Sequence, residues 1–106
     1  MKIVWSDFAS KTLQDIYLYH KEKAEKNIAQ QVKSRIFSST KQLIQYPNSG
    51  QLEETLAQLD EGHRYLVSGN YKIIYKKVKE GILITDVYDT RQDPVKIIDP
   101  YRKPGR

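Results

Sequence analysis

The chain contains no cysteine and only two histidines in 106 residues. Without cysteine there is no disulfide stapling, no thiolate zinc site and no cysteine nucleophile. Two histidines among scattered acids do not make a zinc pattern, and no glycine-rich phosphate loop occurs. No metal or cofactor is therefore expected. No apolar run approaches the length that spans a bilayer, and the opening Met1-Lys2-Ile3-Val4-Trp5-Ser6-Asp7 lacks the apolar stretch of a signal peptide. The expectation is a soluble, cytoplasmic protein with no membrane partner. Internal repeats and low-complexity tracts are missing too, so residues 1–106 are read as one domain. A domain this small leaves little room for an enclosed cofactor pocket, which puts any chemistry on an open face.

Positive charge is present, and it is unevenly placed. Residues 1–62 hold 8 Lys/Arg and 8 Asp/Glu, whereas residues 63–106 hold 10 and 5, so the whole net charge of +5 lies in the second segment. Such polarity favours an anionic partner, either nucleic acid or an acidic protein, although a basic surface also serves solubility.

Periodicity along the chain predicts an α+β fold. Lys2 to Trp5 reads as a strand, and Ser6-Asp7 supplies N-cap chemistry for a helix. Ala9, Leu13, Ile16, Tyr17 and His20 then recur at spacings of three and four, which predicts a helix ending near Lys23. Ile28, Val32, Ile36, Leu43 and Ile44 predict a second helix, stopped by Pro47, Asn48 and Gly50. Together these make a helical hairpin. Gln51 to Gly62 is open between a helical turn and an extended connector. Beyond it the period changes: Arg64–Val67, Tyr71–Val78 and Ile82–Tyr88 are β-branched and aromatic, joined through Gly69-Asn70 and Glu80-Gly81. They form a three-stranded antiparallel meander, with Tyr71, Ile73 and Tyr75 on the side that suits a core against the helices. From about residue 99 a proline-punctuated basic tail completes the chain.

The motifs carry a resemblance. Ile3-Val4-Trp5-Ser6 leading into Ala9, Leu13, Ile16 and Tyr17, the stop Tyr46-Pro47-Asn48-Ser49-Gly50, the strand Gly69-Asn70-Tyr71-Lys72-Ile73-Ile74-Tyr75, and Val87-Tyr88-Asp89-Thr90-Arg91-Gln92-Asp93-Pro94 occur in one order over nearly the whole chain. In that order they resemble the RelE/ParE toxin superfamily of type II toxin–antitoxin and plasmid stabilization systems. The resemblance implies an antiparallel sheet with two helices on one face, and neutralisation by a small antitoxin, here expected to be acidic. It also implies one of two targets. RelE-like members cleave mRNA on the ribosome, and ParE-like members poison DNA gyrase; the Arg91-Gln92-Asp93-Pro94 ending and the Tyr71 to Tyr75 strand look closer to the ParE-like branch. A non-toxic basic nucleic-acid-binding protein is the third reading.

Metal-free RNA cleavage needs a group to take the 2′-hydroxyl proton, cations at the scissile phosphate and a donor for the leaving oxygen. By their place on the meander, His63, Tyr65, Lys72 and Arg91 match positions where RelE-like ribonucleases put functional side chains. His63, with an unperturbed pKa of about 6.5, is a candidate base or acid, or else a solvated histidine. The aromatic donor expected after Arg91 is replaced by Ile97, and Tyr101 is the candidate substitute. The set is thus incomplete, which favours the gyrase reading. Lys72, Arg91, Arg102 and Lys103 are candidates for binding phosphate or an acidic target under either reading. Lys72 could equally be a snorkelling strand residue, and Arg91 an ion pair with Asp89 or Asp93 that shapes the turn. Glu53-Glu54 and Asp60-Glu61 read as solvated loop, and His20 as a packed histidine on the apolar stripe.

Overall fold

The computed structural model describes residues 1–91 and residue 97. Strand β1 (Lys2–Trp5) leads into helix α1 (Asp7–Lys23). Ser6 caps the helix, its hydroxyl accepting the Ala9 amide at 3.0 Å. Asp7 in the first turn and His20, Lys21 and Lys23 in the last complement the helix dipole. After a two-residue break, α2 (Lys26–Ser39) returns along α1, with Lys33 reaching both Gln14 and the ring of Tyr17.

The second helix departs from the expected continuous pattern. It stops at Ser39 and tightens into a 3-10 segment, Thr40–Ile44. The hydroxyls of Ser39 and Thr40 donate to the carbonyls of Arg35 and Phe37, each at 2.7 Å, so side chains compete for acceptors at the helix end. Ile28 and Ile44, read as core positions, are exposed; Ala29 and Ile36 face inward.

The open stretch resolves into a two-residue edge strand, β2 (Gln51–Leu52), and a second 3-10 segment, Glu54–Leu59. The meander is made by β3 (Arg64–Ser68), β4 (Tyr71–Val78) and β5 (Gly81–Asp89). Among the described residues the sheet has strand order β1-β5-β4-β3-β2. It is not wholly antiparallel: β1 pairs parallel to β5, Lys2 opposite Gly81 and Trp5 opposite Ile84. A parallel neighbour requires a long crossover, and the helical hairpin belongs to that connection. Gly81 lets the two strands meet, because a Cβ there would stand 2.3 Å from the Lys2 carbonyl oxygen.

Both helices lie on one sheet face, where Leu66, Ile73, Tyr75, Ile82, Ile84 and Val87 pack against Ala9, Leu13, Ile36 and Leu43. Tyr71 and Tyr75 join this core as expected. At Ile74/Tyr75 the register jumps: Ile74 pairs with Asp86 and Tyr75 with Ile84, leaving Thr85 as a bulge whose hydroxyl donates to the Ile74 carbonyl. The bulge keeps Ile84 and Val87 on the same side. On the other face a second cluster forms from Leu56, Ile74, Tyr88 and Ile97, with Tyr65 against it. The sheet is therefore apolar on both faces in its middle.

Candidate functional site

Alternation along β3 and β4 points Tyr65, Val67, Lys72 and Ile74 away from the helices, with Tyr65 opposite Ile74 and Val67 opposite Lys72. Lys72 is the centre of this face. Its Nζ sits 4.2 Å from the Tyr65 ring centroid and 3.1 Å from Oε2 of Glu53. The other Glu53 oxygen accepts the Thr55 hydroxyl at 2.8 Å and the Thr55 amide at 3.4 Å. Tyr65 donates its phenol proton to Gln51 at 3.0 Å. Lys72 is thus more than a snorkelling strand residue: it closes an ion pair whose carboxylate is 3 % exposed.

Glu53 corrects the expectation of a solvated acidic loop. The β2–β3 ladder continues past Leu52 and Arg64 through the Glu53 amide, which donates to the His63 carbonyl at 2.9 Å, and this draws Glu53 onto the sheet. Position 63 is drawn in with it. His63 is only 3 % exposed, so it is a buried histidine and not a solvated one. Glu54, Asp60 and Glu61 do stay at the surface. Glu61 pairs with Lys76 at 2.7 Å, and that hydrogen bond holds its carboxyl below the ordinary carboxylate range.

Arg91 lies elsewhere. Asp89 is on the helix-facing side, opposite Tyr71, and Arg91 folds back on it: the Arg91 amide and Nε donate to Oδ1 at 2.9 and 3.0 Å, and Nη2 donates to Oδ2 at 2.8 Å. Each group stabilises the other's charge, lowering the Asp89 carboxyl and raising the Arg91 guanidinium. The turn-shaping ion pair expected for Arg91 is present. It lines a cleft of about 430 Å³ with Asp15, Tyr19 and Tyr71, against α1. Nearby, His20 is part-buried with its Nε2 2.9 Å from the Tyr71 phenol, the packed role expected of it. Burial raises the Tyr71 phenol pKa above its ordinary value.

The structure therefore gathers Tyr65 and Lys72, joins them through Glu53 to the backbone of His63, and leaves Arg91 on the opposite side of the sheet. Tyr101, Arg102 and Lys103 lie outside the described residues. Glu53, Gln51 and Thr55 are not legible as site residues in the sequence. The one local signal is a carboxylate two positions before a hydroxyl, which suits a short cap. Among the described residues no group of three or more His, Asp or Glu side chains is arranged to hold a metal ion.

This arrangement of strands and helices has known counterparts. A family model described as the ParE toxin of the type II toxin–antitoxin system parDE matches residues 3–94. The chain belongs to the ParE toxin family. The match runs from β1 to beyond β5, so the elements from β1 to β5 fall within it, apart from Lys2 at the start of β1. A solved structure titled "Chromosomal ParDE TA system from P. aeruginosa" has the same fold, with a TM-score of 0.71, 19 % identity, and coverage of 84 % of this chain and 95 % of that one. No curated protein matches the sequence. The ParE branch of the wider RelE/ParE resemblance is thus the one that holds. As a ParE toxin the chain is the toxin component of a type II system, whose other component is a cognate antitoxin. No described helix of this ParE toxin is long and apolar enough to cross a membrane.

Proposed function

We propose that this ParE toxin arrests growth by poisoning DNA gyrase in the cytoplasm, through surface contact and without acid–base catalysis. The observation that carries the reading is the ParE family match over residues 3–94. The site geometry supports it. Phosphate chemistry needs cations free to meet developing negative charge, whereas Lys72 is held by Glu53 and Arg91 by Asp89. His63, the one candidate base on the sheet face, is buried. The cognate antitoxin is small and acidic in this reading, with a segment that orders across the basic sheet side.

The test uses purified toxin in two parallel reactions, gyrase supercoiling and cleavage on plasmid DNA, and translation with a message monitored for cutting. Lost supercoiling with accumulating cleaved DNA, and intact message, is the expected result. Untouched gyrase together with messages cut within ribosomes would replace this reading by a RelE-like endoribonuclease using His63, Tyr65 and Lys72. In that event His63→Ala should abolish cutting.

A further inference from the structure

The end of the sheet opposite Arg91 gathers cations. There β3 begins at Arg64, β4 ends at Val78, and β5 and β1 begin with Gly81 beside Lys2. Lys2, Arg64, Lys76, Lys77 and Lys79 thus share one end of the fold, with Glu61 and Glu80 as the acids among them. Glu61 is already committed to Lys76.

Within this end is a cleft of about 220 Å³ lined by Arg64, Lys77, Asn48, Tyr75 and Glu61. Arg64 pairs with Tyr75, and Lys77 is two residues further along the same face of β4, so Arg64 and Lys77 are diagonal neighbours, with Cα atoms about 7–8 Å apart. The guanidinium is fixed from behind. Its Nη1 donates to the Gly50 carbonyl at 2.8 Å and to the Asn48 carbonyl at 3.4 Å, while Nε and Nη2 make no hydrogen bond among the described residues. Neither Arg64 nor Lys77 forms an ion pair among the described residues. Two neighbouring like charges beside a cleft repel each other unless an anion lies between them. A pre-oriented guanidinium beside an exposed ammonium suits a phosphate group, the first giving directed N–H donors and the second a point charge.

We infer that this cleft is a phosphate site and that the basic sheet end around it tracks a nucleic-acid backbone. The cleft lies on the other side of β3 and β4 from Lys72, because Arg64, Tyr75 and Lys77 alternate with Tyr65 and Lys72 along those strands, and a phosphate site there does not depend on gyrase being the target. Cations on β1, β3, β4 and the turn after β4 suit a run of phosphates better than a single carboxylate.

The full chain is titrated into a labelled DNA duplex over a range of salt concentrations, beside Lys77→Ala, Lys77→Arg and Lys21→Ala. Lys77 and Lys21 are both exposed, and Lys21 lies at the distant end of α1. Losing one phosphate contact should weaken binding about 8-fold at 0.1 M salt and reduce the salt slope by about 0.9. Lys77→Ala should show both effects, and Lys77→Arg and Lys21→Ala neither. Equal losses in Lys77→Ala and Lys21→Ala, or an unchanged slope in Lys77→Ala, would reduce the patch to diffuse charge and overturn the inference. A loss confined to binding of the acidic antitoxin, with DNA unaffected, would also overturn it and assign the cleft to a protein contact. Inorganic phosphate, added at matched ionic strength and read by amide shifts at residues 64 and 77, separates the sources. Shifts with phosphate and tight DNA binding support the inference; shifts with phosphate but no DNA binding overturn the backbone half of it. Gyrase inhibition is read separately, so either proposal can fail alone.

Discussion

Lys72 and Glu53 meet at 3.1 Å on the sheet face away from the helices, the lysine quarter-exposed and the carboxylate nearly sealed. The pair ties the 3-10 segment Glu54–Leu59 to β4. Removing only the lysine strands a buried carboxylate, which costs more than removing both charges. Lys72→Met should therefore destabilise by about 1–3 kcal/mol, and Glu53→Gln together with Lys72→Met by less than the two singles combined. Urea unfolding of the four proteins measures the coupling. Strict additivity would show that the contact contributes nothing.

The Asp89–Arg91 pair predicts a dependence on acid. Arg91 holds the Asp89 carboxyl below its ordinary value of 3.8. A carboxyl depressed in the folded state adds stability above its unfolded pKa, and that contribution disappears as pH falls through the folded pKa. Arg91→Met should thus lower stability by a constant small amount at neutral pH, and the gap should close below about pH 4. In the variant the Asp89 carboxyl should titrate higher by NMR. An unmoved titration would mean that the pair is not maintained in solution.

A turn beside the basic cleft rests on a glycine. A Cβ at Gly50 would stand 2.6 Å from the Tyr75 phenol oxygen and 2.7 Å from the Tyr65 carbonyl oxygen. That phenol accepts the Gly50 amide at 3.0 Å and donates to the Pro47 carbonyl at 2.9 Å. Gly50→Ala should cost about 1–3 kcal/mol by overpacking. Tyr75→Phe should cost about 1–2 kcal/mol for the lost hydrogen bonds. Combined, they should cost less than their sum, because the phenyl ring lacks the nearest clashing atom. Thermal melts of the three variants decide it.

Which features are legible in the sequence depends on how far apart the interacting residues lie along the chain. The capped helix at Ser6 and the strands at Tyr71 and Ile82 are written in local spacing, and local spacing predicts them well. Local periodicity also marks Ile44 as core, but the hydroxyl-rich Ser38-Ser39-Thr40 ends the α-helix and changes the phase of residues 40–44. The parallel pairing of β1 with β5 joins residues about eighty apart, and no local pattern encodes it. The same holds at the site. Lys72 is visible as a cation on a strand, whereas Glu53 reads as solvated because its partner is 19 positions away. Arg91 is linked correctly to Asp89, two residues off. Its grouping with Lys72 fails because alternation places a side chain on a face only when the register, bulge included, is known.

Leucines of the Gln51–Gly62 segment make the sharpest case, because sequence cannot rank them. Leu52 and Leu59 are exposed, while Leu56 is 1 % exposed and packs with Ile74, Tyr88 and Ile97 on the face opposite the helices. Leu56→Ala should therefore behave as a core truncation, costing about 2–4 kcal/mol, although it sits in a connector. Leu52→Ala and Leu59→Ala should stay within about 0.5 kcal/mol of the parent. A second consequence is local. Leu56 docks the segment that begins just after Glu53, so its truncation should raise amide hydrogen exchange across residues 53–59 and loosen the hold on Lys72 before the helix-side core opens. If exchange rose equally across α1 and the Glu53 segment, the second cluster would not be a separate unit of stability. If Leu56→Ala were neutral, the segment would not be anchored by that side chain, and the Glu53–Lys72 contact alone would have to hold it down.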